Sequence, residues 1–280
     1  MLDIRAVVTD LDGTVVDEAK RVSAATLRAA SDLNAAGIPL VLATARTPTW
    51  VAALTPLVRS VSLAVCCGGA VGWVPATGEI LWRDTIPART VDAVVAVGMV
   101  RHADVAIGAY DGTRWRVTEA FARRGPARPG PTEIVDARDI VDGPVAALSV
   151  LLDGSLAHAF PGLAAELSAS TAYDVSATGM LDIAPPAADK AAGVLRGLAE
   201  VGVDPAYALA FGDMSNDLPM FAVCGRSVAV ANAHPDVLAA ATMVAACVHR
   251  DGFARTLVEL GVIRTNVRVE PDGVFGCTCP

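Results

Sequence analysis

Short apolar runs punctuate the first third of this chain. They fall at Ile4–Val8, interrupted only by Arg5, at Ile38–Ala43 and at Ser62–Cys66. Such runs, bounded by turn residues, predict buried strands. Helix signals sit between them. Ser23 is placed as an N-cap for a helix to Ala36, with Gly37 as its stop. Thr47-Pro48 opens a second helix toward Val58 in the same way. A turn at Cys67–Ala70 then leads into a hairpin, Val71–Val74 and Glu79–Trp82, across Pro75-Ala76-Thr77-Gly78. Strand, helix, strand, helix, strand is the pattern of a doubly wound parallel α/β sheet.

The texture changes at Asp84. A helix is predicted over Thr90–Arg101 and a strand over Val105–Tyr110 that pairs with Arg114–Thr118 across Asp111-Gly112. A proline- and arginine-rich loop spans Arg123–Pro131. Strands follow at Val145–Leu152, Ala172–Val175 and Met180–Ile183, with a helix at Leu156–Leu167. This is a smaller α+β segment. The first pattern then returns. Helices at Asp189–Val201, Pro219–Val223, Pro235–Ala241 and Gly252–Leu260 alternate with strands at Ala206–Phe211, Ser227–Val230 and Met243–Ala246. The expected division is a core of residues 1–83 and 186–280 around an insert of residues 84–185. Val262–Pro280 reads as a polar, turn-rich tail.

Composition narrows the partners. An apolar fraction of 53% over 280 residues supplies a sizeable core. Thirty acidic against 22 basic residues, net −8, argue against nucleic acid. No apolar run approaches the roughly 18 residues of a membrane span. Met-Leu-Asp-Ile-Arg carries no basic lead into an apolar stretch, so no secretion signal is expected. The expectation is a soluble cytoplasmic protein with no membrane partner; nothing in the chain sets its oligomeric state. Cys66, Cys67, Cys224 and Cys247 are expected as buried thiols, and Cys277-Thr-Cys279 lies in the tail.

The chemistry starts where the first strand ends, at Asp10-Leu11-Asp12-Gly13-Thr14. Residues i and i+2 of an extended chain share a side, so both carboxylates can face the crevice beyond the strand. Close carboxylates repel, and Mg²⁺, a hard cation that takes oxygen ligands, would offset this. A strand followed by a plain Asp-Gly turn is the alternative. Three further polar clusters follow strands or open helices: Thr44, Lys190, and Asp213 with Asn216 and Asp217. Lys190 is one of only two lysines, with Lys20, in a chain that otherwise uses arginine. That choice suggests a compact point charge.

In order and context, these four clusters resemble the haloacid dehalogenase-like superfamily of phosphotransferases. The insert resembles the α/β cap of its Cof-type sugar-phosphatase branch. Val230-Ala231-Asn232-Ala233-His234-Pro235 and Asp251-Gly252-Phe253-Ala254 resemble later segments of that branch. The resemblance implies Asp10 as nucleophile and Asp12 as general acid and then base. It implies that Thr44, Lys190 and the backbone near Leu11, Asp12 and Ala45 hold the phosphoryl group. It implies Mg²⁺ on Asp10, Asp213 and the Asp12 main-chain carbonyl, with Asn216, Asp217 and Asn232 behind them. The activity implied is hydrolysis of a small phosphorylated metabolite, a sugar or polyol phosphate. A phosphosugar mutase and an idle regulatory protein are the rivals. There are two departures: Ala45 replaces the usual glycine, a mild change, and Gly68-Gly69-Ala70 replaces Asn-Gly-Ala, which removes a polar side chain and bears on substrate. Arg123, Arg124 and Arg128 could grip a second anion or lie solvated; Trp115 could stack on a sugar ring, with burial against the cap sheet the favoured role.

Overall fold

The structure is a computed structural model and describes residues 3–101, 105–126, 129–151, 172–175, 180–186 and 188–264. Its strands are β1 Ala6–Thr9, β2 Leu40–Ala43, β3 Leu63–Cys66, β4 Val71–Val74, β5 Glu79–Arg83, β6 Ile107–Tyr110 and β7 Trp115–Val117. They continue as β8 Thr132–Ile134, β9 Ala147–Leu151, β10 Ala172–Val175, β11 Met180–Ala184, β12 Ala208–Gly212, β13 Arg226–Val230 and β14 Met243–Ala245. Two sheets result. The larger has the order β14-β13-β12-β1-β2-β3-β4-β5 and the smaller β10-β11-β9-β6-β7-β8. From β14 to β3 the large sheet is parallel; β4 and β5 close it as an antiparallel hairpin.

Strands β1, β2, β3 and β12 are buried along their whole length, as a parallel sheet covered on both faces requires. Helices Ala24–Ala35 and Lys190–Glu200 begin on side-chain caps, Ser23 accepting from Thr26 N–H and Asp189 from Ala192 N–H. In the smaller sheet, Ile107, Leu148, Val150, Leu181 and Ile183 pack with Val91 and Val94 of helix Ala88–Arg101. Tyr110, Trp115 and Phe121 belong instead to the apolar cluster of the large sheet, which joins the two layers. Trp115 is buried, as expected, with its ring centroid 5.2 Å from that of Tyr110. No helix among the described residues is long and apolar enough to cross a membrane.

Three expectations change. The helix expected over 48–58 is two, Pro48–Ala52 and Thr55–Val58. Pro56 has no N–H to continue the ladder, and Thr55 Oγ1 donates to Ala52 O in its place, at 3.4 Å. The loop expected over Arg123–Pro131 overlaps at its start the end of a helix, Glu119–Arg124, capped by Thr118, and is followed by a strand not expected there, β8. Arg123 and Arg124 are exposed in that helix's last turn. Arg128, the helix expected at 156–167 and both tail cysteines lie outside the described residues. The four other cysteines are free and buried.

Candidate active site

The chain leaves β1 toward β2 on one side, while β12 leads to β13 on the other. The crevice between β1 and β12 is therefore the switch point of the sheet, where open α/β folds bind ligands. β1 ends at Thr9 and its neighbour β12 at Gly212, so the residues that follow, Asp10 and Asp213, emerge from adjacent strand ends. Asp10 N–H donates to Phe211 O at 2.9 Å, which fixes the first of them. Gly13, at φ 85°, turns the chain back across Asp213. A Cβ at Gly13 would run into the Asp213 carboxylate, so only glycine allows this approach. Thr14 Oγ1 then donates to Asp213 Oδ1 at 2.9 Å.

A short 3₁₀ turn, Ser215–Asp217, folds Asp217 back under β12. Its Oδ2 accepts the N–H groups of Asp213 and Met214, at 2.9 and 3.0 Å. Lys190, first residue of its helix and 4% exposed, reaches across the crevice. Its Nζ donates to Asp10 Oδ1 and Asp217 Oδ1, both at 2.6 Å. Carboxylate oxygens of Asp10, Asp213 and Asp217 lie within 4.8 Å of one another, and all three residues are buried.

Three carboxylates around one ammonium leave excess negative charge in a desolvated place. Burial, with Asp217 and Asp213 nearby, pushes Asp10 up to about 7 against the pull of Lys190. Burial and Asp217 push Asp213 up to about 6, although Thr14 and Lys190 oppose the rise. Burial disfavours the Lys190 ammonium, but Asp10 and Asp217 outweigh it and hold the charge firmly. The cluster is short of one cation, and its donors are all carboxylate oxygens. That donor set fits Mg²⁺.

Asp12 lies outside this cluster. Its carboxylate takes a bidentate contact from Arg46, Nε to Oδ2 and Nη2 to Oδ1, both at 2.7 Å. Lys20 Nζ adds a contact to Oδ1 at 2.8 Å. Burial alone would raise this carboxyl, but Arg46 and Lys20 hold it below its ordinary value. Thr44 is buried at the end of β2, its Oγ1 accepting from Arg46 N–H at 3.1 Å. Ala45 is exposed next to it, and Leu11 is fully buried with its carbonyl accepting from Thr14, Val15 and Val16. Asn216 is exposed. Asn232 braces the loop after β1: Nδ2 donates to Gly13 O at 2.8 Å while Oδ1 accepts from Val248 N–H at 3.0 Å. His234 contributes its main-chain N–H to Asp213 O at 2.8 Å.

The motif pattern places Asp217 behind Asp213 and assigns no role to Arg46 or Thr14. Arg46 had a signal, since it follows Thr44 by two residues and so starts from the same strand end.

Known proteins resemble this chain along most of its length. The chain is 29% identical over 256 residues to a phosphoglycolate phosphatase of Halorubrum lacusprofundi, covering 90% of this chain and 95% of that one. A haloacid dehalogenase-like hydrolase from Bacteroides thetaiotaomicron has a similar fold, with a TM-score of 0.79 and 24% identity over 92% of this chain and 99% of its own. A sugar phosphatase of HAD subclass IIB superposes with a TM-score of 0.75 and 21% identity, covering 92% of this chain and all of its own, 100%. The family model for haloacid dehalogenase-like hydrolases matches residues 7–257. Those residues run from the first strand to the last helix and include every carboxylate of the crevice, so the chain is a member of the haloacid dehalogenase-like hydrolases.

Proposed function

We propose that the protein is a Mg²⁺-dependent phosphatase that hydrolyses a small phosphorylated metabolite through an aspartyl-phosphate. The observation that carries this reading is the convergence of Asp10, Asp213 and Asp217 on Lys190 at the β1/β12 switch point. Asp10, Asp213 and the Asp12 main-chain carbonyl would hold the ion, with Asp217 behind them. When bound, Mg²⁺ supplies the positive charge that lets an anionic nucleophile meet an anionic phosphoryl group.

The residues divide the remaining work. An Asp10 carboxylate oxygen bonds to phosphorus as the ester bond to the leaving oxygen breaks, and Asp12 gives that oxygen its proton. Water then attacks phosphorus, Asp12 takes its proton, and Asp10 is released with inorganic phosphate. Thr44, Lys190 and backbone N–H groups near Leu11, Asp12 and Ala45 hold the phosphoryl oxygens. The division into a core of residues 1–83 and 186–280 and a cap of residues 84–185 is part of this proposal, with the cap closing over substrate to exclude water.

Relatives bearing the names phosphoglycolate phosphatase and sugar phosphatase support a monophosphate ester of a small hydroxylated carbon skeleton. The two differ in the charge of the leaving alcohol. Phosphate release from a panel of such esters, with Mg²⁺ and without, tests the function. Asp10→Asn should lower turnover by roughly 10⁴-fold or more with the fold kept. Undiminished turnover in that variant would refute the nucleophile assignment.

A further inference from the structure

We propose that Arg46 latches Asp12 in the resting enzyme, and that a carboxylate on the substrate draws Arg46 away, so that the preferred substrates are phosphate esters of small hydroxy acids. The inference rests on the phosphatase reading of Asp10 and Asp12. Both Asp12 oxygens are taken, Oδ2 by Arg46 Nε and Oδ1 by Arg46 Nη2 and Lys20 Nζ. A carboxylate gripped by a guanidinium fork and an ammonium is held in place against them. To deliver a proton to the substrate, Asp12 must leave the fork.

Only a group of matching shape takes a guanidinium from a carboxylate cheaply. Another carboxylate does so, because it accepts the same two parallel N–H bonds and leaves no charge stranded. The transferring phosphoryl group is served by Thr44 and Lys190. Arg46 stands beside that seat, its main-chain N–H on Thr44 Oγ1. Its side chain is 10% exposed, so it forms part of the wall and is not a solvated surface arginine. Trp50 lies against it, with the guanidinium carbon 5.4 Å from the ring centroid. Trp50 Nε1–H is buried and has no acceptor. Lys20, the other contact on Asp12, has a left-handed backbone at φ 60°, with its N–H donating to Asp17 O at 2.9 Å. With the phosphoryl group held by Thr44 and Lys190, a polyol phosphate brings no second anion to take the fork and leaves Asp12 latched.

The test compares 2-phosphoglycolate with its amide, which has the same size and no carboxylate. p-Nitrophenyl phosphate serves as a third substrate, because its phenolate leaves with little need of a proton. For the wild-type enzyme, kcat/KM should be roughly tenfold or more higher for the acid than for the amide. In Arg46→Gln the ratio should fall toward one, with the acid slowed and the amide quickened, while p-nitrophenyl phosphate remains a substrate of both enzymes. A wild-type ratio near one overturns the latch, and so does an Arg46→Gln enzyme that loses acid and amide equally. The wild-type comparison stands even if that variant misfolds. Absence of p-nitrophenyl phosphate hydrolysis by the wild type, or its survival in Asp10→Asn, would instead sink the phosphatase reading itself.

Discussion

Asp10 and Asp12 are two residues apart and occupy opposite electrostatic regimes. The inner region, around Asp10, Asp213, Asp217 and Lys190, is buried and over-supplied with negative charge. The mouth, around Asp12, is matched or better: one half-exposed carboxylate faces Arg46 and Lys20. Burial wins in the first region, so Asp10 and Asp213 are pushed up; cationic hydrogen bonds win in the second, so Asp12 is held down. The contrast separates two jobs. A place short of a cation is suited to capture one. A place already neutralised is suited to exchange partners.

The only two lysines of the chain divide between these regions, and replacing each in turn should expose the difference. Lys190→Met leaves three buried carboxylates with no fixed cation. Removing one partner of such a buried set costs roughly 3–5 kcal/mol. Urea unfolding in metal-free buffer should show a loss of that order, and Mg²⁺ should recover part of it. A loss below 1 kcal/mol, unchanged by Mg²⁺, would mean that the inner cluster is not short of positive charge.

A smaller effect should appear with pH. Ordinary carboxyls titrate near 3.8, while Asp10 sits at about 7 and Asp213 at about 6. Between those values the folded, metal-free protein binds more protons than the unfolded chain, so this contribution to stability falls as pH rises. It is fully present below the unfolded value and lost as pH climbs through 6 and 7. Mg²⁺ competes with the same protons. The rise in Tm caused by a fixed Mg²⁺ concentration should therefore be small at pH 5 and larger at pH 8. An equal rise at both would place the ion away from these carboxylates.

How much of this was legible in the sequence follows the reach of each interaction. β1 and β12 announced themselves as apolar runs that stop at carboxylates, and Ser23 and Asp189 cap helices within three residues of themselves. The parallel order then put Asp10 beside Asp213. Asp217 was harder, because only the 3₁₀ turn folds it back onto the main-chain N–H groups of Asp213 and Met214. The Arg46–Asp12 fork joins residues 34 apart and depends on how two loops meet. In the inserted segment, helix Glu119–Arg124 is too short to print a helical period, and Arg123-Arg124-Gly125-Pro126 has the composition of a loop. Strand β8 is exposed at all three positions, so no alternation marks it.

The bracing of the loop after β1 gives a third, milder probe. Asn232→Ala removes the bonds to Gly13 O and from Val248 N–H, a loss of about 1–2 kcal/mol. Its thermal melt should shift down without changing the pH dependence of the Mg²⁺ effect, because no charge is altered. A variant as stable as wild type would show that the loop is held by Gly13 and Thr14 alone.

Lys20→Met marks the smallest step and sharpens the comparison most. Lys20 is 61% exposed and its contact with Asp12 is open to solvent. Such a pair contributes roughly 0–1 kcal/mol, and salt screens what there is. The unfolding free energy should move by no more than that, and the difference from wild type should vanish between low and high ionic strength. The same salt series should leave the Lys190→Met deficit nearly intact, because its partners are buried. If both lysines responded alike to salt, the inner cluster and the mouth would be one electrostatic region, and the division of labour between Asp10 and Asp12 would lose its physical basis.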